Sequence, residues 1–392
     1  KTTVLPQYNR VLGEVLAEAG QYFAALTAFQ PFGTAFQAQN MNCTQANLPD
    51  AVDTLCATLS DDPNDPEDQD RERLVFINQL QNAPAQVTLM RKLLGCAQDL
   101  GFKYLAIEDL EEDAAALTAR GYVSRSQSGP YTREPQLARL IQDGLARGYQ
   151  LVNYDVSDHC LTCTYEQDIS AHAEQQATEL VARTLGIDPD AKVLVLSGPR
   201  QSYKEAWGPL NQPATTSLAN HVWMQSGLEP YAVDQVEIDR PAGVPFGMSA
   251  LSTPSGMYMA SGPDPMNARC EGAYAPRTEN NRGALDAVIV HVPPQNDQSR
   301  WDWLHAPEDE RRSLTLSCGS CMSGQRLLLQ AFPAEVDISD RIPTDQTLCA
   351  AGDTCQVVLP AGPYQVVVWS DTERLGSAAV DLSASSSGNV SL

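Results

Sequence analysis

Three glutamines occupy positions at which α/β enzymes commonly carry acids or histidines. Gln79 and Gln81 come soon after an apolar run at residues 74–77, and Gln201 follows a second run at residues 193–196. The carboxyl ends of parallel strands are where such proteins bind ligands and place catalytic groups. Glutamine forms hydrogen bonds, but it neither ionises near neutral pH nor transfers protons. The pattern therefore predicts an enzyme-like scaffold without the corresponding proton-transfer groups.

Charged and hydroxyl-bearing side chains do remain near the predicted strand ends. They are Glu108, Tyr131, Arg133, Glu134, Asp155 and, on a following helix, Glu174. Arg133 is suited to binding an anionic group through two parallel hydrogen bonds. The competing interpretation is that Arg133 pairs with Glu108 or Glu134 and holds the loop against the sheet. For Asp155 the alternatives are a place in the crevice and a solvated or capping role.

The elements that carry these residues alternate between strand and helix from residue 73 onward. Strands are predicted at 73–78, 102–108, 149–155, 192–197, 230–237 and 284–292, and helices at 84–100, 110–120, 135–147, 170–186 and 214–226. The strands are apolar on both faces, as buried parallel strands are. Regular alternation of this kind predicts an α/β fold with a mostly parallel sheet and helices on both faces.

The pattern changes after residue 301, where short strands are separated by turn residues. The predicted strands are 313–317, 326–332, 355–359, 364–370 and 378–382. Short strands at this spacing predict a C-terminal antiparallel β-sandwich. We expect a helical, disulfide-bearing extension at residues 1–70, an α/β domain at 71–300 and the β-sandwich at 310–392. Residues 240–283 are expected to be irregular, and the serine-rich stretch 383–387 loosely ordered.

The charge balance limits the classes of partner. The 392 residues include 49 Asp or Glu against 26 Lys or Arg, so the formal net charge is −23. This charge repels phosphate backbones, and nucleic acid is therefore not an expected partner. Apolar runs stay shorter than the roughly 20 residues that a membrane-spanning helix needs, so no span is expected.

Ten cysteines, an even number, indicate disulfides and an oxidising compartment. We expect the pairs Cys43–Cys56 and Cys349–Cys355, whose members are close in sequence. The other candidates form two CxxC pairs, Cys160 with Cys163 and Cys318 with Cys321. These are either short-loop disulfides or two halves of one zinc site.

Four short motifs add a resemblance to a known family. They are YLAIE at 104–108, GPYTREP at 129–135, YQLVNYD at 149–155 and EQQA at 174–177. With the order of elements, they resemble the superfamily of erythromycin esterase-like proteins and ChaN-type haem-uptake proteins, especially its exported bacterial members of uncharacterised function. The resemblance covers residues 70–240 and, more faintly, the β-rich end.

The departures from the family are concentrated at the strand ends. The resemblance implies a Gly-Glu-x-His motif after the first strand and a further histidine after a later strand. This chain has NQLQ at 78–81 and Gln201 at the second place. Losing the glutamate removes a base, and losing each histidine removes a base and a metal ligand. The resemblance thus implies a vestigial site of Gln79, Gln81, Glu108 and Gln201, unless the three glutamines are ordinary loop residues.

We therefore expect an exported protein, periplasmic or at the cell surface, that binds or assembles without catalysing a reaction. Its expected partners are a second copy of itself, another cell-surface protein or a small molecule bound near Tyr131, Arg133, Glu134, Asp155 and Glu174. No cofactor and no metal are expected.

Two alternatives follow from the resemblance. One is a hydrolase of the erythromycin esterase-like type that uses Glu108, Asp155 and Glu174, with Arg133 orienting the substrate. The other is a haem-binding or small-molecule-binding protein, with Tyr131, Tyr154 or His159 as the ligand to haem.

Overall fold

A computed structural model describes most of the chain. The described residues are 50–60, 73–79, 84–108, 110, 112–129, 131–156, 165–199, 201–205, 215–235, 256–261, 285–292, 312–317, 325–334, 337–350, 355–371, 373–383 and 387–391, with Leu12, Val15 and Leu16. Within them, a mostly parallel sheet flanked by helices is followed by a β-sandwich, so the predicted fold class is confirmed.

The α/β part consists of seven strands and the helices between them. The strands are β1 (Leu74–Asn78), β2 (Tyr104–Ile107), β3 (Gln150–Asn153), β4 (Val193–Ser197), β5 (Tyr231–Asp234), β6 (Gly256–Ser261) and β7 (Ala287–Val292). The helices are α1 (Ala51–Thr58), α2 (Pro84–Asp99), α3 (Ala114–Arg120), α4 (Pro135–Ala146), α5 (Tyr165–Arg183) and α6 (Leu218–Ser226), with a 3-10 turn at Tyr131–Arg133.

The strands lie in the order β3-β2-β4-β1-β5-β7-β6. Neighbouring strands are parallel except β6, which runs antiparallel to β7 at one edge. Every residue of β1 and of β4 is buried, which explains why both strands are apolar on both faces. Because β1 and β4 are adjacent in the middle of the sheet, their carboxyl ends meet at its centre.

Helices cover the two faces of the sheet with separate hydrophobic cores. On one face α1, α2 and α4 pack against alternate strand residues such as Val75, Leu105 and Leu194. On the other face α5 and α6 pack against the intervening residues, such as Phe76 and Val195. This alternation follows from the two-residue period of a strand, and it fixes which face each residue at the strand ends can reach.

The C-terminal part consists of two sheets that share one core. Its strands are β8 (Arg312–Ser317), β9 (Arg326–Pro333), β10 (Asp345–Ala350), β11 (Cys355–Leu359), β12 (Pro363–Trp369), β13 (Arg374–Asp381) and β14 (Ser387–Ser391). One sheet has the order β10-β9-β12-β13 and the other β11-β8-β14. All pairs are antiparallel except β14 with β8. Inward residues such as Leu314, Leu329 and Val366 form the core between the sheets.

Some sequence expectations about elements were wrong. Strand β6 falls inside the stretch 240–283 that was expected to be irregular, and β14 begins at Ser387, in the tail expected to be loose. Both lie at the margin of a sheet and obtain their stability from one neighbouring strand. The helical extension expected at residues 1–70 lies outside the described residues, apart from residues 50–60 and Leu12, Val15 and Leu16.

Two disulfides are present among the described residues. Cys349–Cys355, which joins β10 to β11, confirms the prediction. The predicted pair Cys43–Cys56 is wrong, because Cys56 on α1 pairs with Cys96 on α2 across a Cα–Cα distance of 6.0 Å. Packing of α1 against α2 in the core brings these two cysteines together despite their separation of 40 residues. The remaining candidates lie outside the described residues: Cys43, Cys160, Cys163, Cys318 and Cys321.

The α/β part and the β-sandwich meet at a polar junction. The carboxylate of Asp340 accepts hydrogen bonds from the Ser124 hydroxyl and from the backbone N–H of Ser126, the latter at 2.7 Å. Ser124 also forms an isolated antiparallel bridge with Arg341. The Arg341 guanidinium lies 4.7 Å from the centre of the Tyr122 ring. The hydrogen bond from Ser124, with those from Ser126, lowers the pKa of Asp340.

None of the helices in the described part of the chain is both long enough and apolar enough to cross a membrane.

Candidate functional site

A row of polar side chains follows the carboxyl ends of four adjacent strands. Asn78 on β1 is the ladder partner of Ser197 on β4. Asp234 follows Val233, the β5 partner of Ile77, and Glu108 follows Ile107, the β2 partner of Leu196. The four residues therefore stand side by side in the order Asp234, Asn78, Ser197 and Glu108, and we call them the polar row.

The polar row faces α5 and α6. The residues two positions earlier in β1, β4 and β2 are Phe76, Val195 and Ala106, and all three belong to the core beneath α5 and α6. Because side chains alternate along a strand, the last residue of each strand points to the same face. The hydrogen bond between Glu108 and a residue of α5 agrees with this orientation.

One half of the polar row is filled by a buried network of amides. Asn78 donates from its Nδ2 to Asp234 and accepts from the Gln235 backbone N–H at 2.9 Å. The Gln235 side chain donates to the Asn78 carbonyl at 2.7 Å and to the Gln86 carbonyl at 3.1 Å. The Gln86 side chain donates to the Gln235 carbonyl at 3.1 Å. This network joins the carboxyl ends of β1 and β5 to the first turn of α2.

The other half of the polar row brings together two carboxylates, an amide and an imidazole. Gln176 on α5 donates from one Nε2 to Asp155 at 2.9 Å and to Glu108 at 3.4 Å. His172, one turn earlier on α5, places its Nε2 3.4 Å from the same Asp155 oxygen. Burial raises the pKa of Asp155, but hydrogen bonds from His172, Gln176 and the Val156 N–H outweigh it, so the pKa lies below its ordinary value. Asp155 is therefore an ionised acceptor at neutral pH.

Gly198 allows the Glu108 carboxylate to lie close to the backbone of β4. A Cβ atom added to Gly198 would come within 2.6 Å of Glu108 Oε2, closer than real Cβ contacts. The Glu108 backbone N–H also donates to the Leu196 carbonyl at 3.0 Å, which extends the β2–β4 pairing by one residue. Glu108 is thus held over the end of β4.

The three glutamines have different surroundings. Gln79 is 3% exposed and its N–H donates to the Ser197 carbonyl at 2.8 Å, so it extends the ladder between β1 and β4. Gln201 accepts from the Leu218 N–H through Oε1 at 2.9 Å, and its carbonyl accepts from the Ala219 N–H at 2.9 Å. Gln201 therefore caps the first turn of α6 together with the N-cap residue Ser217, whose hydroxyl accepts from the Asn220 N–H, and this is a structural role. Gln81 lies outside the described residues.

Residues of the Tyr-Thr-Arg-Glu-Pro motif form the start of α4. Glu134 is the N-cap, and its side chain accepts from the Leu137 N–H at 2.8 Å, with Pro135 at the first helical position. Tyr131 is buried in the core on the α2 and α4 side. Arg133 is half-buried in the 3-10 turn. The motif is therefore accounted for largely by helix initiation and packing.

The remaining candidates are spread over different environments. Glu174 is exposed on α5, although its neighbours His172 and Gln176 reach Asp155. Tyr154 is fully buried, and its hydroxyl donates to the Leu196 carbonyl at 2.8 Å. His159 lies outside the described residues.

Sequence reasoning overlooked His172 as a partner of Asp155, and it overlooked the amide network. The spacing of His172 and Gln176, four residues apart on one helix, was the available signal, because such residues share a face. Asn78 and Asp234 are polar residues at the ends of otherwise apolar strands, which was a second signal.

This arrangement can accept hydrogen bonds from a bound group. Within the part of the chain that the structure describes, the buried Oε1 atoms of Gln79 and Gln176 and the hydroxyl of Ser197 have no hydrogen-bond partner. Buried polar atoms nearly always have partners, so such atoms mark a place for further donors. No group of three or more His, Cys, Asp or Glu side chains suited to a metal ion is present among the described residues.

Neither a protein-family model nor a curated protein matches the chain.

Proposed function

We propose that this is an exported protein that binds a partner or assembles and does not catalyse hydrolysis, built on a scaffold resembling that of the esterase and haem-uptake superfamily. The observation that carries this proposal is the chemistry of the strand ends. Around β1, β4 and β5, where a hydrolase of this type would need bases, the structure has amides that bond to one another and to the backbone.

The amides support a structural role for these positions because they satisfy specific partners. Gln201 caps α6, and Asn78 and Gln235 join β1 to β5. A proton shuttle would need an ionisable group with access to substrate, and an amide does not ionise near neutral pH. Of the positions that resemble the family's glutamate and histidines, Gln201 stabilises α6 through its side chain, and Gln79 extends the β1–β4 ladder through its backbone.

Export is supported by the two disulfides, Cys56–Cys96 and Cys349–Cys355. Disulfides persist in oxidising compartments and are rare where thiols are kept reduced. We therefore place the protein in the periplasm or at the cell surface, with a second copy, another surface protein or a small molecule as partner.

A hydrolase is the second candidate, and one observation favours it. Asp155 contacts His172 at 3.4 Å, and a carboxylate that orients an imidazole is half of many hydrolytic sites. Gln176 also brings Glu108 to this pair. Haem binding has less support, because the Tyr154 hydroxyl is already bonded to the Leu196 carbonyl within the core.

The test is hydrolysis by the full chain with 4-nitrophenyl acetate and a macrolide lactone as substrates. We expect rates equal to the uncatalysed background and no difference between the natural protein and His172→Ala. A hydrolase that uses His172 would show turnover that falls by about 100-fold or more in His172→Ala. That result, with an unchanged circular dichroism spectrum, would refute the proposal.

A parallel titration with haemin tests the third interpretation, which is haem binding. We expect no Soret shift beyond that of free haemin. A saturable shift that disappears in Tyr131→Phe would establish haem binding in place of the proposal.

A further inference from the structure

Strand β13 is an exposed edge of the C-terminal domain. It is the last strand of the sheet β10-β9-β12-β13, and no other strand pairs with its outer side within the described residues. Arg374, Leu375, Ser377, Ala379 and Asp381 are exposed along it. Natural proteins protect long edges with proline, charges or β-bulges, because an open edge recruits another strand, and the bulge of β13 lies near its first residue. The only charged residues of β13 are its two terminal ones, and it has no proline.

The regular part of β13 has a symmetrical pattern about its centre. A bulge at Leu375, between the pairs Trp369–Arg374 and Val368–Gly376, ends the regular ladder, and beyond it residues 376–380 form a continuous five-residue stretch. Ala378 is the middle residue of this stretch. The odd-numbered positions 375, 377, 379 and 381 point outward, and Ala378 and Val380 pack toward the sandwich core. A two-fold axis through Ala378 therefore superposes outward positions on outward positions.

We propose that two copies of the chain pair through β13 in antiparallel fashion about a two-fold axis at Ala378. The two four-stranded sheets then form one continuous eight-stranded sheet. Ser377 of each copy faces Ala379 of the other, and Leu375 faces Asp381. A self-complementary patch of this kind gives a closed dimer.

Charge selects this register over its neighbour. With the axis at Ala378, Arg374 of one copy lies diagonally beside Asp381 of the other, so the ends of the strands carry opposite charges. Moving the axis to Ser377 would set Glu373 opposite Asp381, and like charges that face each other across strands are unfavourable. The axis at Ala378 also pairs all five residues of the stretch 376–380 with one another and sets Asp381 opposite the bulged Leu375.

An apolar patch adjoins the same edge. Trp369 and Leu375 are each 37% exposed, and they are two of the few large hydrophobic side chains exposed among the described residues. Both lie at the bulged end of the β12–β13 pair. A second β13 alongside would cover Leu375, and aromatic and aliphatic residues of this kind anchor interfaces.

This pairing specifies the self-assembly named in the proposed function, but it can be tested separately from the absence of catalysis, because a hydrolase could dimerise through the same strand. The experiment is analytical ultracentrifugation of the full chain from about 1 to about 100 μM, a range that reveals even a modest dissociation constant. The test variant is Ser377→Lys with Ala379→Lys, which sets lysine against lysine twice across the axis. The matched control is Ser377→Lys with Ala379→Glu, which sets lysine against glutamate twice at the same exposed positions.

The natural chain is expected to form a dimer. The double-lysine variant should raise the dimer dissociation constant by about 30-fold, and the lysine–glutamate control should restore it to within about threefold. Equal circular dichroism spectra and thermal midpoints would show that both variants fold. A monomer throughout the concentration range would overturn the inference. So would a dimer or larger assembly whose dissociation constant is the same in the double-lysine variant.

Discussion

Replacing Asn78 by Asp tests the amide network of the polar row with almost no change of shape. Asn78 uses its Oδ1 to accept from the Gln235 N–H and its Nδ2 to donate to Asp234. Aspartate keeps the first hydrogen bond and loses the second. It also places two carboxylates against each other at a fully buried position, since Asn78 and Asp234 are both 0% exposed.

The expected cost follows from these two changes. Loss of a buried hydrogen bond to a charged acceptor costs about 1.5 kcal/mol. Two like charges about 4 Å apart repel by about 4 kcal/mol at an effective dielectric constant of about 20. Asn78→Asp should therefore lower the free energy of unfolding by roughly 5 kcal/mol when both carboxylates are ionised.

The loss of unfolding free energy in Asn78→Asp should increase with pH. The facing carboxylates favour a shared proton, so in the folded variant the pKa of the pair lies above the ordinary value of about 3.9. A group whose pKa is raised by folding loses stability as the pH rises above its unfolded pKa. The penalty should be close to zero below about pH 4, grow by about 1.4 kcal/mol per pH unit, and level off near about pH 7.5.

Denaturant unfolding followed by circular dichroism from pH 4 to pH 8 measures this dependence against the natural protein. Asn153→Asp is the matched control, because the hydrogen bond of Asn153 to a described residue uses its oxygen, which accepts from the Asp155 N–H at 3.0 Å and is kept in aspartate. That variant should stay within about 1 kcal/mol of the natural protein. A cost for Asn78→Asp below about 1 kcal/mol at pH 8, or one that does not change with pH, would refute the network's proposed role.

Two further predictions concern stability. Removing Cys56–Cys96 as a double alanine variant should cost about 4 kcal/mol, and removing Cys349–Cys355 about 2 kcal/mol, because the first closes a loop of 40 residues and the second a loop of 6. Calorimetry would detect the difference, and an equal or reversed order would contradict the loop-entropy argument. Gln201→Ala should cost about 1 kcal/mol because the Leu218 N–H at the start of α6 loses its acceptor, whereas Gln201→Glu, which keeps the acceptor, should be nearly neutral in denaturant unfolding. Equal losses in both variants would show that this hydrogen bond does not stabilise α6.

The central sheet was predictable because its strands are buried on both faces. Residues 74–77 and 193–196 are continuous apolar runs, and both lie in strands in the middle of the sheet. Strand β10 was not predicted because it contains few apolar residues. Its buried positions are the polar residues Asp345, Gln346 and Thr347. Two of these side chains are stabilised by hydrogen bonds from other strands. Gln346 accepts from Gln330 on β9, and Asp345 accepts from the Val358 N–H on β11.

The candidate site was only partly predictable for a related reason. Strand ends can be read from the pattern, so Gln79, Glu108 and Asp155 were placed near the crevice. Which helix residues reach those ends depends on the packing of α5 across the sheet, which no local pattern specifies. His172 and Gln176 were therefore found only in the structure, and the role of Gln201 as a cap depends on where α6 begins.

The junction at Asp340 has a mechanical consequence. Its hydrogen bonds to Ser124 and Ser126 join the C-terminal domain to the segment that leads into Tyr131–Arg133 and the start of α4. The bridge between Ser124 and Arg341 acts at the same place. A tensile load applied to the β-sandwich would thus act on the segment that leads into the start of α4. In a protein anchored or assembled at a cell surface, strain on one domain would reach this segment of the other.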